Sequence, residues 1–188
     1  MIKNATAIIP ARAGSLRLKN KNRALLWGDP LVVWTIRACL NAHYVDKIVV
    51  ASDDNIILSM AAAFQVITHR RHAVDDHESK ITACRSIALA NVEADSPLVI
   101  VQANSPDIHY EDIDEAIKNV QRGDRLECFS VDNNLEQIGA LRAYRHPMHL
   151  FTPHLSYKSK VIQIDCSDIH TQEDIDVLEK RGKPDHMR

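Results

Sequence analysis

Aromatic side chains are scarce, at 5% of the 188 residues. That scarcity argues against a single-strand nucleic-acid surface, which needs rings interleaved with basic residues. No stretch approaches the roughly 20 apolar residues that span a bilayer. The opening Met1 to Pro10 carries one lysine and too short an apolar run for a secretory signal, so the cytoplasm is the expectation, with neither a membrane nor a nucleic acid as partner. Cys39, Cys84, Cys128 and Cys166 form no Cys-x-x-Cys pair, which disfavours zinc ribbons and redox motifs and leaves four reduced, mostly buried thiols. Internal repeats, low-complexity tracts and the Gly-Lys-Ser/Thr ending of a Walker loop are also missing.

With 45% hydrophobic and 26% charged residues, the composition is that of a globular chain able to bury one sizeable core. Residues 1–188 are read as a single domain. The net charge of -2 is unevenly spread. Residues 1–28 hold Lys3, Arg12, Arg17, Lys19, Lys21 and Arg23 and no acid. Such a run on an otherwise acidic protein suggests a local anion site, with a solvated basic loop as the plainer alternative. Of the ten histidines, His146, His149 and His154 are near enough in sequence to share a metal, but no acidic or cysteine ligand accompanies them.

Short apolar runs alternate with helical periodicity. Strands are expected at 5–9, 47–51, 65–68, 97–102, 126–131, 139–144 and 160–164, and helices after Pro30, after Ser52-Asp53-Asp54, and over 79–92, 110–120 and 171–180. Arg181 to Arg188 is expected to be loose. Continuous apolar strands separated by helices imply a mostly parallel sheet covered on both faces, a three-layer α/β/α arrangement. Ligands of such sheets bind beyond the carboxyl ends of the strands. Three polar loops fall there: Arg12 to Asn22, Ser52 to Asp54, and Gln102 to Pro106.

In the first loop, the small residues Ala11, Ala13, Gly14 and Ser15 let backbone N–H groups approach an anion. Arg12 can fork two donors onto a phosphate, and Lys21 can add a point charge. The run Ile9-Pro10-Ala11-Arg12-Ala13-Gly14-Ser15, followed by Lys19-Asn20-Lys21-Asn22, resembles the signature of the sugar-acid cytidylyltransferases, the CMP-sialic acid synthetases (acylneuraminate cytidylyltransferases) and more distantly the CMP-KDO synthetases. Gly28-Asp29-Pro30-Leu31, Val49 to Asp54, Arg70-Arg71, Gln102-Ala103-Asn104-Ser105-Pro106 and Asp168 to Asp174 are similar to further segments of that family, in order, over residues 5–180.

The resemblance implies the nucleotide-diphospho-sugar transferase, Rossmann-like fold. It implies transfer of CMP from CTP to a 2-keto sugar acid, giving a CMP-sugar and pyrophosphate with Mg²⁺ as cofactor. It places Arg12 and Lys21 in catalysis on the triphosphate. Ala11, Arg12, Ala13, Gly14, Ser15, Lys21, Asn22 and Arg71 would bind nucleotide. Gln102, Asn104 and Ser105 would meet the sugar acid, and Asp168 would hold the metal. Plainer roles stand beside some of these: a helix cap for Asp53, a turn for Ser105-Pro106, surface charge for Arg70 and Arg71, and a helix-dipole role for Asp174.

Three departures stand out. Leu16 replaces a frequent lysine, with Arg17 next to it. His170 falls where the family has a second metal-side aspartate, with Asp165 as another carboxylate nearby. Ser130-Val131 is followed almost at once by Gln137 to Leu141, so the insert that carries the dimer contact and part of the sugar pocket is nearly absent after about residue 131. The acceptor and the homo-oligomer are therefore open. Two alternatives follow: a catalytically impaired nucleotide-binding homologue acting as a sensor or partner subunit, and a cytidylyltransferase with a non-sugar acceptor.

Overall fold

The computed structural model describes residues 2–15, 17–71, 80–151 and 158–187, with backbone alone for 80–83. Its centre is a sheet of seven strands: β1 (Ala5–Pro10), β4 (Val45–Ser52), β5 (Ile67–Arg70), β6 (Leu98–Val101), β7 (Glu127–Val131), β8 (Gln137–Tyr144) and β9 (Ser159–Gln163). Their order is β5-β4-β1-β6-β8-β7-β9. β8 runs antiparallel to both β6 and β7, and the remaining pairs are parallel. The carboxyl ends of β1, β4, β6, β7 and β9 thus share one edge.

Alternation along the strands divides the core. Ala7 and Ile9 of β1, Val50 of β4 and Val99 and Val101 of β6 face one layer of helices. That layer comprises α1 (Leu31–Asn41), α2 (Asn55–Ala63) and α4 (Tyr110–Gln121). Ile8, Val49 and Ile100 face the other side, where Cys84, Ile87 and Ala88 of α3 (Lys80–Asn91) close over them. Burying side chains such as Ile8 and Ile9 contributes about 1.5–3 kcal/mol each. The four cysteines are free; burial leaves Cys39 and Cys128 with thiols pushed up to about 12.

A third cluster joins Leu26, Leu31 and Trp34 to Ile169, Ile175 and Leu178, the last two from α5 (Gln172–Arg181). It rests on a small hairpin, β2 (Leu25–Leu26) and β3 (Asp29–Pro30), that the sequence reading does not contain. Its two turn residues, Trp27 (φ 50) and Gly28 (φ 88), are both left-handed, as a tight hairpin turn requires. The Trp27 indole N–H donates to Leu178 O at 3.2 Å, which ties the hairpin to α5.

Three expectations need correction. The third strand occupies Ile67–Arg70 rather than 65–68, because Gln65 (φ 58) is left-handed and still belongs to the turn out of α2. The residue that caps α2 is Asp54, whose carboxylate accepts from Ile56 N at 2.8 Å, and not Asp53. The tail from Arg181 is docked: Asp185–Met187 forms one helical turn, Met187 packs on the third cluster, and the His186 ring lies 4.3 Å from that of His109.

Candidate nucleotide site

β1 is buried along its length and delivers the chain at Pro10 to the sheet edge. Ala11 N there still pairs with Ala51 O at 2.9 Å, so the loop starts from a fixed point. The loop is then tied down twice. Asp53, just past the end of β4, accepts the Ala13 N–H on its carboxylate at 2.7 Å. The buried amide of Asn22 donates to Arg12 O at 2.9 Å. Between these ties Gly14 is exposed and Ser15 half-buried, with no atom within 4 Å of a Cβ built on Gly14. The loop therefore presents backbone and cations to solvent on a rigid base. Asn22, predicted to shape the loop, does so through its hydrogen bond to Arg12 O.

Lys21 opens a single 3-10 turn, Lys21–Arg23. Its ammonium donates to Ile169 O at 2.8 Å, so the basic loop reaches the segment that carries Asp168. That segment leaves β9 and crosses the sheet edge under several restraints. Asp107 accepts from Ser167 N at 2.8 Å and from Ser167 Oγ at 2.7 Å. Ile169 N donates to Asn104 O at 2.8 Å, while the Asn104 amide N–H₂ donates to Asp168 Oδ1 and, at 3.2 Å, to Ile169 O. Asn104 and Asp168, taken from separate motifs, are in direct contact. Asp107 was missed by sequence reasoning; it follows Ser105-Pro106 without any pattern that marks it.

Gln102 is 8% exposed and begins the turn after β6, with its N–H paired to Ala140 O at 2.9 Å. Ser105 is fully buried, its N–H donating to Gln102 O at 3.2 Å, which is the geometry of a turn. The neighbouring Cys166 thiol is pushed up by burial and by Asp107, which makes it an inert thiol and not a nucleophile. Arg71 stands at the same edge beyond β5, its N–H bonded to Ser52 O at 3.1 Å, and Arg70 Nη1 donates to Asp53 O at 3.4 Å.

Asp174 is a capping residue. Its carboxylate accepts from His170 N at 2.7 Å and Thr171 N at 2.8 Å, while Thr171 Oγ1 accepts from Asp174 N. These bonds, the His170 N–H foremost, hold its carboxyl below the usual range. Asp165 is exposed. Leu16 and His154 lie outside the described residues, and the rings of His146 and His149 are 5.4 Å apart. Among the described residues no group of three or more His, Cys, Asp or Glu side chains forms a metal cage. The donor set at Asp168 nevertheless fits Mg²⁺, which is held by one or two carboxylates together with substrate phosphates and water. Asp168 Oδ1 accepts from Asn104, Oδ2 lies 3.1 Å from His170 Nε2, and each oxygen retains a lone pair for a cation.

Among curated proteins, the chain is similar to N-acylneuraminate cytidylyltransferase A of Danio rerio, at 29% identity over 131 residues, covering 69% of this chain and 30% of that protein. It is similar to 3-deoxy-manno-octulosonate cytidylyltransferase of Chlorobium phaeobacteroides at 37% identity over 100 residues, covering 50% and 40%. The chain thus spans well under half the length of these relatives. Among solved structures, CMP:2-keto-3-deoxy-manno-octonic acid synthetase complexed with CTP superposes with a TM-score of 0.79 at 17% identity, covering 95% of this chain and 98% of that one. That likeness establishes the shared fold. Matched over residues 6–180, which take in the basic loop after β1, the turn after β6 and the Asp168 segment alike, the chain belongs to the cytidylyltransferase family.

Proposed function

We propose that this protein transfers CMP from CTP to a 2-keto sugar acid. The observation that carries the reading is the Lys21 ammonium on Ile169 O, which joins the phosphate loop to the Asp168 segment across one open edge. In the reaction the anomeric hydroxyl oxygen bonds to the α-phosphorus, the bond from that phosphorus to the bridging oxygen breaks, pyrophosphate departs, and the hydroxyl proton passes to solvent.

The protein's part is positioning and charge compensation. Backbone N–H groups at Gly14 and Ser15 cradle phosphate oxygens, Ala13 shapes the loop through its bond to Asp53, and Asn22 keeps Arg12 in register. Arg12 and Lys21 face the charge that collects on the departing pyrophosphate. An ammonium has three N–H donors, so Lys21 can keep Ile169 O and still meet phosphate. Arg71 lies at the outer end of the same edge and is assigned to the nucleotide. Gln102 and Asn104 are assigned to the side where the acceptor enters, with the buried Ser105 supporting their turn from beneath. Asp168 would hold Mg²⁺, which when bound neutralises charge on the triphosphate. The reading places the enzyme in the cytoplasm.

A second reading is supported by the connection from β7 to β8. Asp132 Oδ1 accepts from Asn134 N and Glu136 N, both at 2.9 Å, and closes a tight turn where the resemblance places a sugar-side insert. That favours nucleotide binding without turnover. Pyrophosphate release with CTP, Mg²⁺ and a panel of 2-keto sugar acids separates the two. Release that depends on one acid, and that Lys21→Ala lowers by about 100-fold or more, is the expected result. CTP binding with no release for any acid would support the sensor or partner reading; release with a non-sugar alcohol only would move the acceptor class.

A further inference from the structure

His170, a departure from the family pattern, meets Arg17, the neighbour of the departure at Leu16, in the structure. Arg17 Nη2 lies 3.2 Å from His170 Nδ1, and His170 Nε2 lies 3.1 Å from Asp168 Oδ2. A guanidinium carries only N–H donors, so Nδ1 must accept. The ring proton then sits on Nε2, which lies beside the carboxylate oxygen. With Nδ1 engaged by Arg17 and Nε2 protonated towards Asp168, the imidazole offers no lone pair to a cation.

The main chain beneath the ring is fixed as well. Ile169 N donates to Asn104 O at 2.8 Å, Ile169 O accepts from Lys21, and His170 N donates to Asp174 at 2.7 Å. The Asp168 carboxylate therefore has the Asn104 amide bonded to Oδ1 and the protonated ring nitrogen of His170 3.1 Å from Oδ2. That pair of contacts sets the rotation of the carboxylate and hence the direction of its remaining lone pairs.

We propose that His170 is a positioning residue that orients Asp168 for a divalent cation, is held in its Nε2–H tautomer by Arg17, and does not ligate the cation itself. The inference rests on the reading of Asp168 given under the proposed function. Arg17 thereby couples the phosphate loop to the carboxylate, so that nucleotide and cation meet residues fixed as one unit. The imidazole performs for Asp168 the orienting service that outer partners perform for other metal-binding side chains, whose loss costs about 10- to 100-fold in metal affinity.

Mn²⁺ is the probe. Its binding to the full chain in the presence of CTP is followed by the loss of the free-ion electron paramagnetic resonance signal, and CTP binding is measured separately in EDTA by calorimetry. His170→Ala is expected to weaken Mn²⁺ binding about 10- to 100-fold while leaving metal-free CTP affinity unchanged. His170→Gln, whose amide N–H can replace the Nε2–H donor, is expected to recover part of the loss, and Arg17→Ala to give a smaller one. Bound Mn²⁺ in the wild type is expected to lack directly coordinated nitrogen by pulsed resonance. A nitrogen coupling that disappears in His170→Ala would make His170 a ligand and overturn the proposal. Unchanged Mn²⁺ affinity in well-folded His170→Ala, with tight binding to the wild type, would overturn it alone. A wild type that binds CTP but no Mn²⁺ would remove the cation role of Asp168 and the proposal with it, leaving the nucleotide reading intact.

Discussion

Asp53 shows how a residue's role is decided by its neighbours in space. The sequence offers two adjacent aspartates before a helix, and either can cap it. In the fold Asp54 takes the cap, with Arg23 Nε 3.3 Å from its carboxylate, while Asp53 turns to the Ala13 N–H in the loop after β1. A hydrogen bond to a charged group contributes about 1.5–3 kcal/mol net, and half-burial places this one at the lower end. Asp53→Ala is expected to lower CTP affinity about tenfold, equivalent to about 1.4 kcal/mol. Asp53→Asn retains an acceptor oxygen and is expected to lose less. Equal affinities by calorimetry would show that the loop is held without this bond. The loop residues themselves were legible because backbone access and cations leave a mark in composition. Partners such as Asp107 on Ser167 were not, because a hydrogen bond between positions 60 apart leaves no local pattern.

At the level of elements, local chemistry and long-range pairing separate cleanly. The start of α5 was legible from Thr171 to Asp174, and the structure forms the full capping box there. Thr171→Ala is expected to cost about 1 kcal/mol, a fall of roughly 2–4 °C in Tm for a chain of this size. The Asp174 carboxyl is held low in the folded state by its bonds to the His170 and Thr171 amides. Its contribution is therefore present above the unfolded value of about 3.9 and fades as pH falls through the lower folded value. The Tm difference between wild type and Asp174→Ala is expected to be largest near neutral pH and to shrink below about pH 4. A difference that stays constant down to pH 3 would contradict the assignment. The hairpin β2–β3 escaped notice because Trp27-Gly28 is not among the usual Asn-Gly or Asp-Gly turn pairs. The antiparallel direction of β8 escaped for another reason: its apolar residues Ala140, Leu141 and Ala143 are equally suited to either orientation, and direction is set by the length of the connection from β7.

The molecule as a whole brings four separate stretches, after β1, β4, β6 and β9, to one edge, an arrangement the alternating strand and helix pattern implies through the rule for open α/β sheets. A ligand that bridges those stretches stabilises the folded state in proportion to its occupancy. CTP at about one hundred times its Kd contributes about 2.7 kcal/mol, or roughly 5–10 °C in Tm. CTP is expected to give that shift and Lys21→Ala to blunt it, while an equal response to GTP would argue against a cytidine site. The contact of Lys21 with Ile169 joins positions 148 apart, and that of Arg17 with His170 joins positions 153 apart. During synthesis the basic loop therefore emerges long before its counterpart. The first strands can begin to pair while the chain is still growing, but no partial product on the ribosome can hold substrate in the proposed geometry. On the proposed function, the joint engagement of nucleotide and cation waits for the Asp168 segment and α5 to dock against the loop after β1.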